Sequence, residues 1–299
     1  MTHLIPLMQR EWLQHRFAWS LMLLLPPALA LLPLTFGEVR IDDVELHSGL
    51  PIVLALGSLA AGIGVTFGVV LVSSLILMAG LARRDHGDRS HEFWLSLPTG
   101  HAESLAVPLL MHLLVLPAVA LLVGLLSGIV VSLPVVTRGA GWAQWLALPW
   151  PALLGAALAF AGRLLAGLPL ALLWLSPLIL LLVLLGAWVG RWGVVILAVG
   201  VGIGSGILDR LLGQPWPALL LGRWFEGAAL SLAGASHRAL EARGSSDAEV
   251  LELLAQVPGV AWDDFIAALS MAPSPALAGG LLLAAACFVL LVRWRRAGA

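Results

Sequence analysis

The chain has 299 residues, of which 60% are apolar and 11% charged, and its mean hydropathy is +1.00. A soluble domain carries about a quarter charged residues, so this composition excludes an ordinary soluble protein and predicts one embedded in a lipid bilayer. The net charge of −1 argues against nucleic-acid binding, which requires a basic surface.

Residues 1–16 form the first predicted element. Over this range a helix would carry apolar side chains on one side and polar ones on the other: Leu4, Leu7, Met8 and Trp12 against Gln9, Arg10 and Gln14. The pattern predicts an amphipathic helix that lies on the inner membrane surface. The alternative is an ordinary charged segment that leads into the first membrane span.

Six apolar segments are long enough to cross a bilayer, which takes about 20 residues. They cover residues 17–36, 51–82, 104–136, 164–190, 193–212 and 276–293. The second and third exceed one bilayer thickness, so each must tilt, break or project beyond the membrane. The sequence therefore predicts an all-α integral membrane protein with six transmembrane helices.

The distribution of Arg predicts the orientation. If both termini are cytoplasmic, the inner segments hold nine Arg and five acidic residues, while the outer segments hold seven Arg and twelve acidic residues. Basic loops stay in the cytoplasm, and residues 293–296 would form a strong inner anchor. The absence of Lys, Asn and Tyr is typical of GC-rich bacterial genomes, which favours a bacterial inner (cytoplasmic) membrane.

Residues 142–162 are apolar enough for a seventh span. Seven spans would put the Arg-rich tail outside, against the charge rule. We therefore predict that 142–162 is an interfacial or half-inserted helix of the outer leaflet, broken at Pro149 and Pro151.

Residues 214–275 form the largest polar segment, and we predict that they are extracytoplasmic and helical. Charged and apolar residues alternate at helical spacing over 223–243, residues 246–249 resemble a capping box, and a third short helix would begin at Trp262. This segment could bind an extracytoplasmic partner. The alternative is a connecting loop with no further role.

The predicted spans are almost empty of ionisable residues. His112, in the inner half of the third span, is the clear exception, and Arg163 falls at a predicted span end. A lone His is more often a packing residue than a proton relay, and ion-coupled pumps place carboxylates at mid-membrane. The spacing of His86 and His91 argues against a zinc site, and one cysteine, Cys287, excludes a Cys-rich one.

Ser205, between glycines in the fifth span, could suggest an intramembrane serine protease, with His112 as its base. The small residues at 200, 202, 204 and 206 are more simply explained by close helix packing. Because a phosphate-binding P-loop requires Lys, the chain contains no ATPase motif. We therefore predict a protein without a catalytic residue, cofactor or metal of its own.

The loop 83–103 is short, charged and predicted to be cytoplasmic. It contains a helix-length stretch from Ser90 to Leu97 with Phe93 and Trp94, and Pro98 ends it. Exposed aromatic residues next to Arg are typical of protein interfaces, so this loop is a candidate docking element. The alternative is that Trp94 anchors the loop among lipid headgroups.

Three segments resemble the permeases of type-2 ABC exporters. Residues 85–99, Asp-His-Gly-Asp-Arg-Ser followed by Phe-Trp-Leu-Ser-Leu-Pro-Thr, are similar to their cytoplasmic coupling segment. Residues 10–16 resemble their N-terminal elbow helix, and 172–188 resemble their fourth span. The chain departs from the family at Val107-Pro108, where family members often carry a Lys.

The resemblance implies a transmembrane permease subunit that pairs with a second copy or a related permease. A separate ATP-binding subunit would bind ATP and Mg²⁺ and dock beneath it. The residues implied for coupling to that subunit are Arg89, Ser90, His91, Glu92, Phe93, Trp94, Leu97 and Pro98, and the implied elbow contacts are Arg10, Glu11 and Trp12.

The resulting domain plan has an elbow helix at 1–16, helices one to five at 17–213 with the coupling loop 83–103, an external segment at 214–275, and the sixth helix and basic tail at 276–299. Spans without mid-membrane charge suit a hydrophobic or amphipathic substrate that enters from the lipid. The alternatives in other classes are a non-transporting membrane scaffold and, last, the serine protease.

Overall fold

The computed structural model describes residues 4–36, 49–79, 81, 100–234 and 247–296. Every regular element in these ranges is helical, as the composition predicts. We number nine helices in chain order: α1 Leu4–Phe36, α2 Leu50–Ala79, α3 from His101 to Ala140, α4 Trp142–Leu146, α5 Trp150–Val189, α6 Gly193–Leu212, α7 Trp216–Ala233, α8 Asp247–Ser270 and α9 Pro275–Arg296.

Among the described residues, five apolar helical stretches are long enough to cross a membrane: Ile5–Leu34, Leu50–Met78, Ala102–Ala140, Trp150–Leu212 and Pro275–Arg296. The chain is thus a multi-pass membrane protein by helix length and hydropathy. The fourth stretch has 63 residues and contains two of the predicted spans, α5 and α6. A 3-10 turn, Gly190–Trp192, separates them, and Gly190 takes a positive φ of 68° there, which glycine adopts without steric cost.

The first helix differs from the prediction because α1 is continuous over 33 residues. No break separates residues 4–16 from the first span, so they form one helix with it, about 50 Å long. Good helix formers such as Leu, Met and Gln continue through the predicted boundary, and Pro26, Pro27 and Pro33 lie inside the helix without ending it.

Of the two breaks predicted within 142–162, the one at Pro149 is confirmed and the one at Pro151 is wrong. The chain does break before Pro149, after the short helix α4, but α5 begins at Trp150 and runs 40 residues without interruption. Pro151 lies in the first turn of α5, where its missing N–H leaves no hydrogen bond unmade. Residues 150–162 therefore extend the fourth predicted span, and Arg163 lies well inside a helix.

The predicted polar segment 214–275 is helical, but it forms two helices in the described ranges rather than three. Helix α8 begins at Asp247, within the predicted capping box, with Asp247 and Glu249 in its first turn. It then continues through Pro258 and Trp262 to Ser270. The predicted helix start at Trp262 is therefore an internal position of α8.

Helix α5 lies at the centre of the bundle and contacts α2, α3, α6, α7, α8 and α9. One apolar core joins α2, α3, α5 and α8 through Leu59, Leu121, Leu168 and Leu254. A second joins α5 to α7 and α9 around Trp174 and Trp224. Helix α1 packs at the side, on α2 and α3, through Trp19, Val70 and Met111.

Candidate functional site

The predicted coupling residues Arg89, Ser90, His91, Glu92, Phe93, Trp94, Leu97 and Pro98 lie outside the described residues. The helices that flank them, α2 and α3, are described and pack against each other along much of their length. Three glycines make this contact close. A Cβ added to Gly62 would lie 2.6 Å from the backbone oxygen of Gly124, and one added to Gly128 would lie 2.6 Å from Leu59 Cα.

The predicted elbow contacts lie on α1. Trp12 is 49% exposed, and its ring contacts the Trp19 ring at a centroid distance of 5.7 Å. Arg10 is half-buried. Glu11 differs from the other two because it is 4% exposed and faces the protein interior. Its carboxylate is directed at α3 rather than at a surface that a partner subunit could contact.

Glu11, His15 and Trp19 are spaced four residues apart on α1, so they form one row on the same helix face. His112 of α3 lies against this row, in the π-helical turn Met111–Val115. Its ring meets the His15 ring at 5.1 Å and the Trp19 ring at 5.0 Å, both edge to face. Glu11, His15 and His112 form a buried cluster between two helices that are far apart in sequence.

The Glu11 carboxylate is close to both imidazoles. Its Oε2 lies 3.7 Å from His112 Nε2 and 3.6 Å from His15 Nδ1. His15 Nδ1 also lies 3.1 Å from the Glu11 backbone oxygen, a hydrogen bond within one turn of α1. Glu11 Oε2 and both nitrogens of His112 are buried without a hydrogen-bond partner in the described part of the chain.

A second buried polar group, which sequence analysis missed, joins α5, α7 and α8. Arg163 Nε donates to Asp264 Oδ2 at 2.8 Å, with both side chains more than 90% buried. The same guanidinium donates to the backbone oxygens of Ser231 and Leu230, near the carboxyl end of α7. Arg163 thus supplies a donor to the Ser231 carbonyl at the helix end and a second donor to the Leu230 carbonyl, which also accepts from the Gly234 N–H. It holds three helices together.

Ser205 has a structural contact at the start of α7. Its hydroxyl accepts a hydrogen bond from the backbone N–H of Ala218 at 3.0 Å. His112, the base that the protease hypothesis requires, belongs instead to the cluster with Glu11 and Trp19. Of the four glycines near Ser205, Gly204 faces α7, because a Cβ added there would lie 3.6 Å from Pro217. A Cβ added to Gly200, Gly202 or Gly206 would meet no atom of the described residues within 4 Å.

An apolar groove of about 280 Å³ lies between α3 and α5, lined by Leu109 and Leu113 on one side and Leu172 and Ile179 on the other. Ser176 is the one hydroxyl among the residues that line it. The groove fits a hydrocarbon chain better than a polar solute, because its walls offer almost no hydrogen-bonding group.

Comparisons of the chain with family models, with curated proteins and with solved structures found no match.

Proposed function

We propose that this chain is the transmembrane permease subunit of an ABC transporter. A separate subunit would hydrolyse ATP, and the permease would use that work to export or extract a hydrophobic or amphipathic substrate. The close packing of α2 on α3 carries the proposal, because these helices flank the charged loop 83–103 whose sequence resembles a coupling segment.

The proposed topology has six crossings, in which α5 and α6 cross separately on either side of the turn at Gly190–Trp192. Helix α6 has 20 residues and spans about 30 Å, one hydrocarbon thickness. Both termini and the loop 83–103 would lie in the cytoplasm of a bacterial cell, and α7 and α8 outside. A second copy of the chain, or a related permease, would complete the transporter.

Coupling requires that a push on the loop moves the helices as a unit. Glycines 62, 124 and 128 bring the backbones of α2 and α3 into contact, without side chains that could slide past each other. A displacement of the loop would then shift both helices together. Helix α3 also contacts α1 and α5, so the shift would reach both sides of the bundle.

The groove between α3 and α5 supports an apolar cargo. It opens on the surface of the bundle, which is where an acyl chain from the bilayer would reach it. Two charged side chains of the described spans lie in buried clusters, Glu11 with the two histidines and Arg163 with Asp264 of α8, whereas Arg16, Asp209 and Arg210 are exposed. A hydrated polar path would need such groups to line an open channel instead.

The test is ATP turnover in a reconstituted complex. The chain is coexpressed with a candidate ATP-binding subunit chosen from the genes that neighbour its own, purified through a tag on the chain and placed in lipid. We expect the subunit to co-purify and to hydrolyse ATP faster than it does alone. The double variant Phe93→Ala/Trp94→Ala should lose the association or the stimulation.

Trp262→Ala is the matched control, because Trp262 is 63% exposed on α8, in the segment proposed to lie outside. It should leave association and turnover unchanged. If the Phe93→Ala/Trp94→Ala variant behaves like this control, the coupling assignment is wrong. If the subunit never co-purifies, a membrane scaffold accounts for the chain better than a permease does.

A further inference from the structure

We propose that Glu11, His15 and His112 bind a divalent transition-metal ion of the zinc class between α1 and α3. Each residue offers one ligand atom, and the three atoms lie within 4.8 Å of one another. Two imidazoles and a carboxylate form a recognised ligand set for Zn²⁺ that leaves a fourth position for water. The inference does not depend on the proposed transport function, because it concerns this chain alone.

The distances fit an ion better than they fit direct hydrogen bonds. Glu11 Oε2 and His112 Nε2 are 3.7 Å apart, beyond the range of about 2.7–3.2 Å in which such bonds form. Ligands held at about 2.0–2.1 Å by a tetrahedral Zn²⁺ lie roughly 3.4 Å apart. A small movement of either side chain would therefore close the site around an ion.

Burial makes a cation favourable in this position. Glu11 is 4% exposed and His112 is fully buried, and their facing atoms have no hydrogen-bond partner among the described residues. The two imidazoles lie 3.6 and 3.7 Å from the carboxylate, and a buried polar atom without a hydrogen bond calls for an explanation such as a bound ion. A divalent ion would satisfy the carboxylate and an imidazole lone pair together.

The surrounding structure holds the ligands in place. Trp19 is 1% exposed, stacks on the His15 ring and contacts the His112 ring edge to face. The π-helical turn at Met111–Val115 widens α3 where His112 projects, and such turns are frequent at functional sites. Oxygen and imidazole donors without sulfur favour Zn²⁺, Ni²⁺ or Cu²⁺ over soft ions.

His15 should be the weakest of the three ligands. Its Nδ1 lies within hydrogen-bonding distance of the Glu11 backbone oxygen, so binding through Nδ1 requires that bond to give way. Glu11 Oε2 and the two ring nitrogens of His112 accept or donate no hydrogen bond among the described residues. Substituting His15 should therefore cost less affinity than substituting either of the others.

The experiment measures Zn²⁺ binding to the purified full chain, stripped with chelator and carrying a tag without histidine. We expect each chain to bind one Zn²⁺ ion tightly. Glu11→Gln and His112→Gln should each weaken this binding by more than about 100-fold, since loss of a group that merely orients a ligand costs about 10–100-fold. His15→Gln should weaken it less, and Zn²⁺ should raise the unfolding temperature of the unaltered chain.

The controls are His237→Gln and the double variant His86→Gln/His91→Gln, which remove histidines outside the cluster. Both variants should still bind one Zn²⁺ ion tightly. The proposal is overturned if the unaltered chain does not bind Zn²⁺ tightly. It is also overturned if tight binding is lost only in the His86→Gln/His91→Gln variant. In either case the direct contacts of Glu11 with His15 and His112 would explain the cluster without a metal.

A measurement on the unaltered chain decides the question if the Gln variants do not fold. X-ray absorption at the zinc edge should show two imidazole nitrogens with oxygen ligands and no sulfur, and the His86→Gln/His91→Gln protein should give the same spectrum. A spectrum with oxygen ligands alone, or one that changes in that double variant, would contradict the assignment to Glu11, His15 and His112.

Discussion

The Glu11 carboxylate lies 3.7 Å from His112 Nε2, although about a hundred residues separate the two in sequence. Each belongs to a different helix, and the contact exists because α1 packs along α3. Glu11 was predicted to contact a partner subunit and His112 to be a packing residue. Their contact gives both residues an interior role that ties the N-terminal helix to the bundle.

The ion pair of Arg163 with Asp264 should dominate the stability of the α5–α8 contact. Arg163→Met or Asp264→Asn should lower the free energy of unfolding by about 3–5 kcal/mol, because each leaves a buried partner uncompensated. Thermal unfolding in detergent measures this. Asp263→Asn is the matched control, because Asp263 is the exposed neighbour of Asp264; an equal loss in that variant would show that the pair contributes little.

The backbone contact of α2 with α3 should not tolerate a methyl group. Gly124→Ala should lower the free energy of unfolding by about 1–3 kcal/mol through overpacking, since its Cβ would lie 2.6 Å from the Gly62 oxygen. Gly64→Ala, where an added Cβ meets nothing within 4 Å, should be neutral or stabilise the helix slightly. Unfolding temperatures that do not separate the two variants would contradict the close contact.

Ser205 should matter for the stability of α7 and not for chemistry. Ser205→Ala removes the acceptor for the Ala218 N–H and should cost about 0.5–2 kcal/mol, as the loss of a helix cap does. Ser270→Ala is the control, since that hydroxyl is exposed and donates within its own helix. If Ser205→Ala instead abolishes an activity at unchanged unfolding temperature, the serine-protease alternative gains support.

The sequence predicts a helix well where residues next to its ends, such as glycines, determine where it stops. Residues 193–212 were predicted as a span, and α6 covers the same residues, because Gly190 and Gly213 take positive φ at the two ends. Pro151 was predicted to break a helix, but it lies in the first turn of α5, where a proline starts a helix as readily as an internal one breaks it. The positions of the prolines alone therefore do not show that residues 150–162 belong to the same helix as the fourth predicted span.

The two buried polar clusters form only because particular helices are neighbours. The spacing of residues along one helix does not show which helix packs against it. The spacing of Glu11, His15 and Trp19 on one face of α1 was readable from sequence. That His112 completes the cluster required the packing of α1 on α3. Arg163 and Asp264 are about a hundred residues apart in sequence. Each was predicted to lie near the end of a helix, and only the packing of α5 on α8 shows that they form an ion pair.

The side of the membrane on which the loop 83–103 lies tests the central claim most directly. In a Cys287→Ala background, which removes the single native cysteine, Ser90→Cys and Ser246→Cys are each labelled with a membrane-impermeant maleimide on intact bacterial spheroplasts. We predict that Ser246→Cys reacts at once and that Ser90→Cys reacts only after lysis. Labelling of Ser90→Cys on intact spheroplasts would contradict the account, because no cytoplasmic ATPase could then reach the loop.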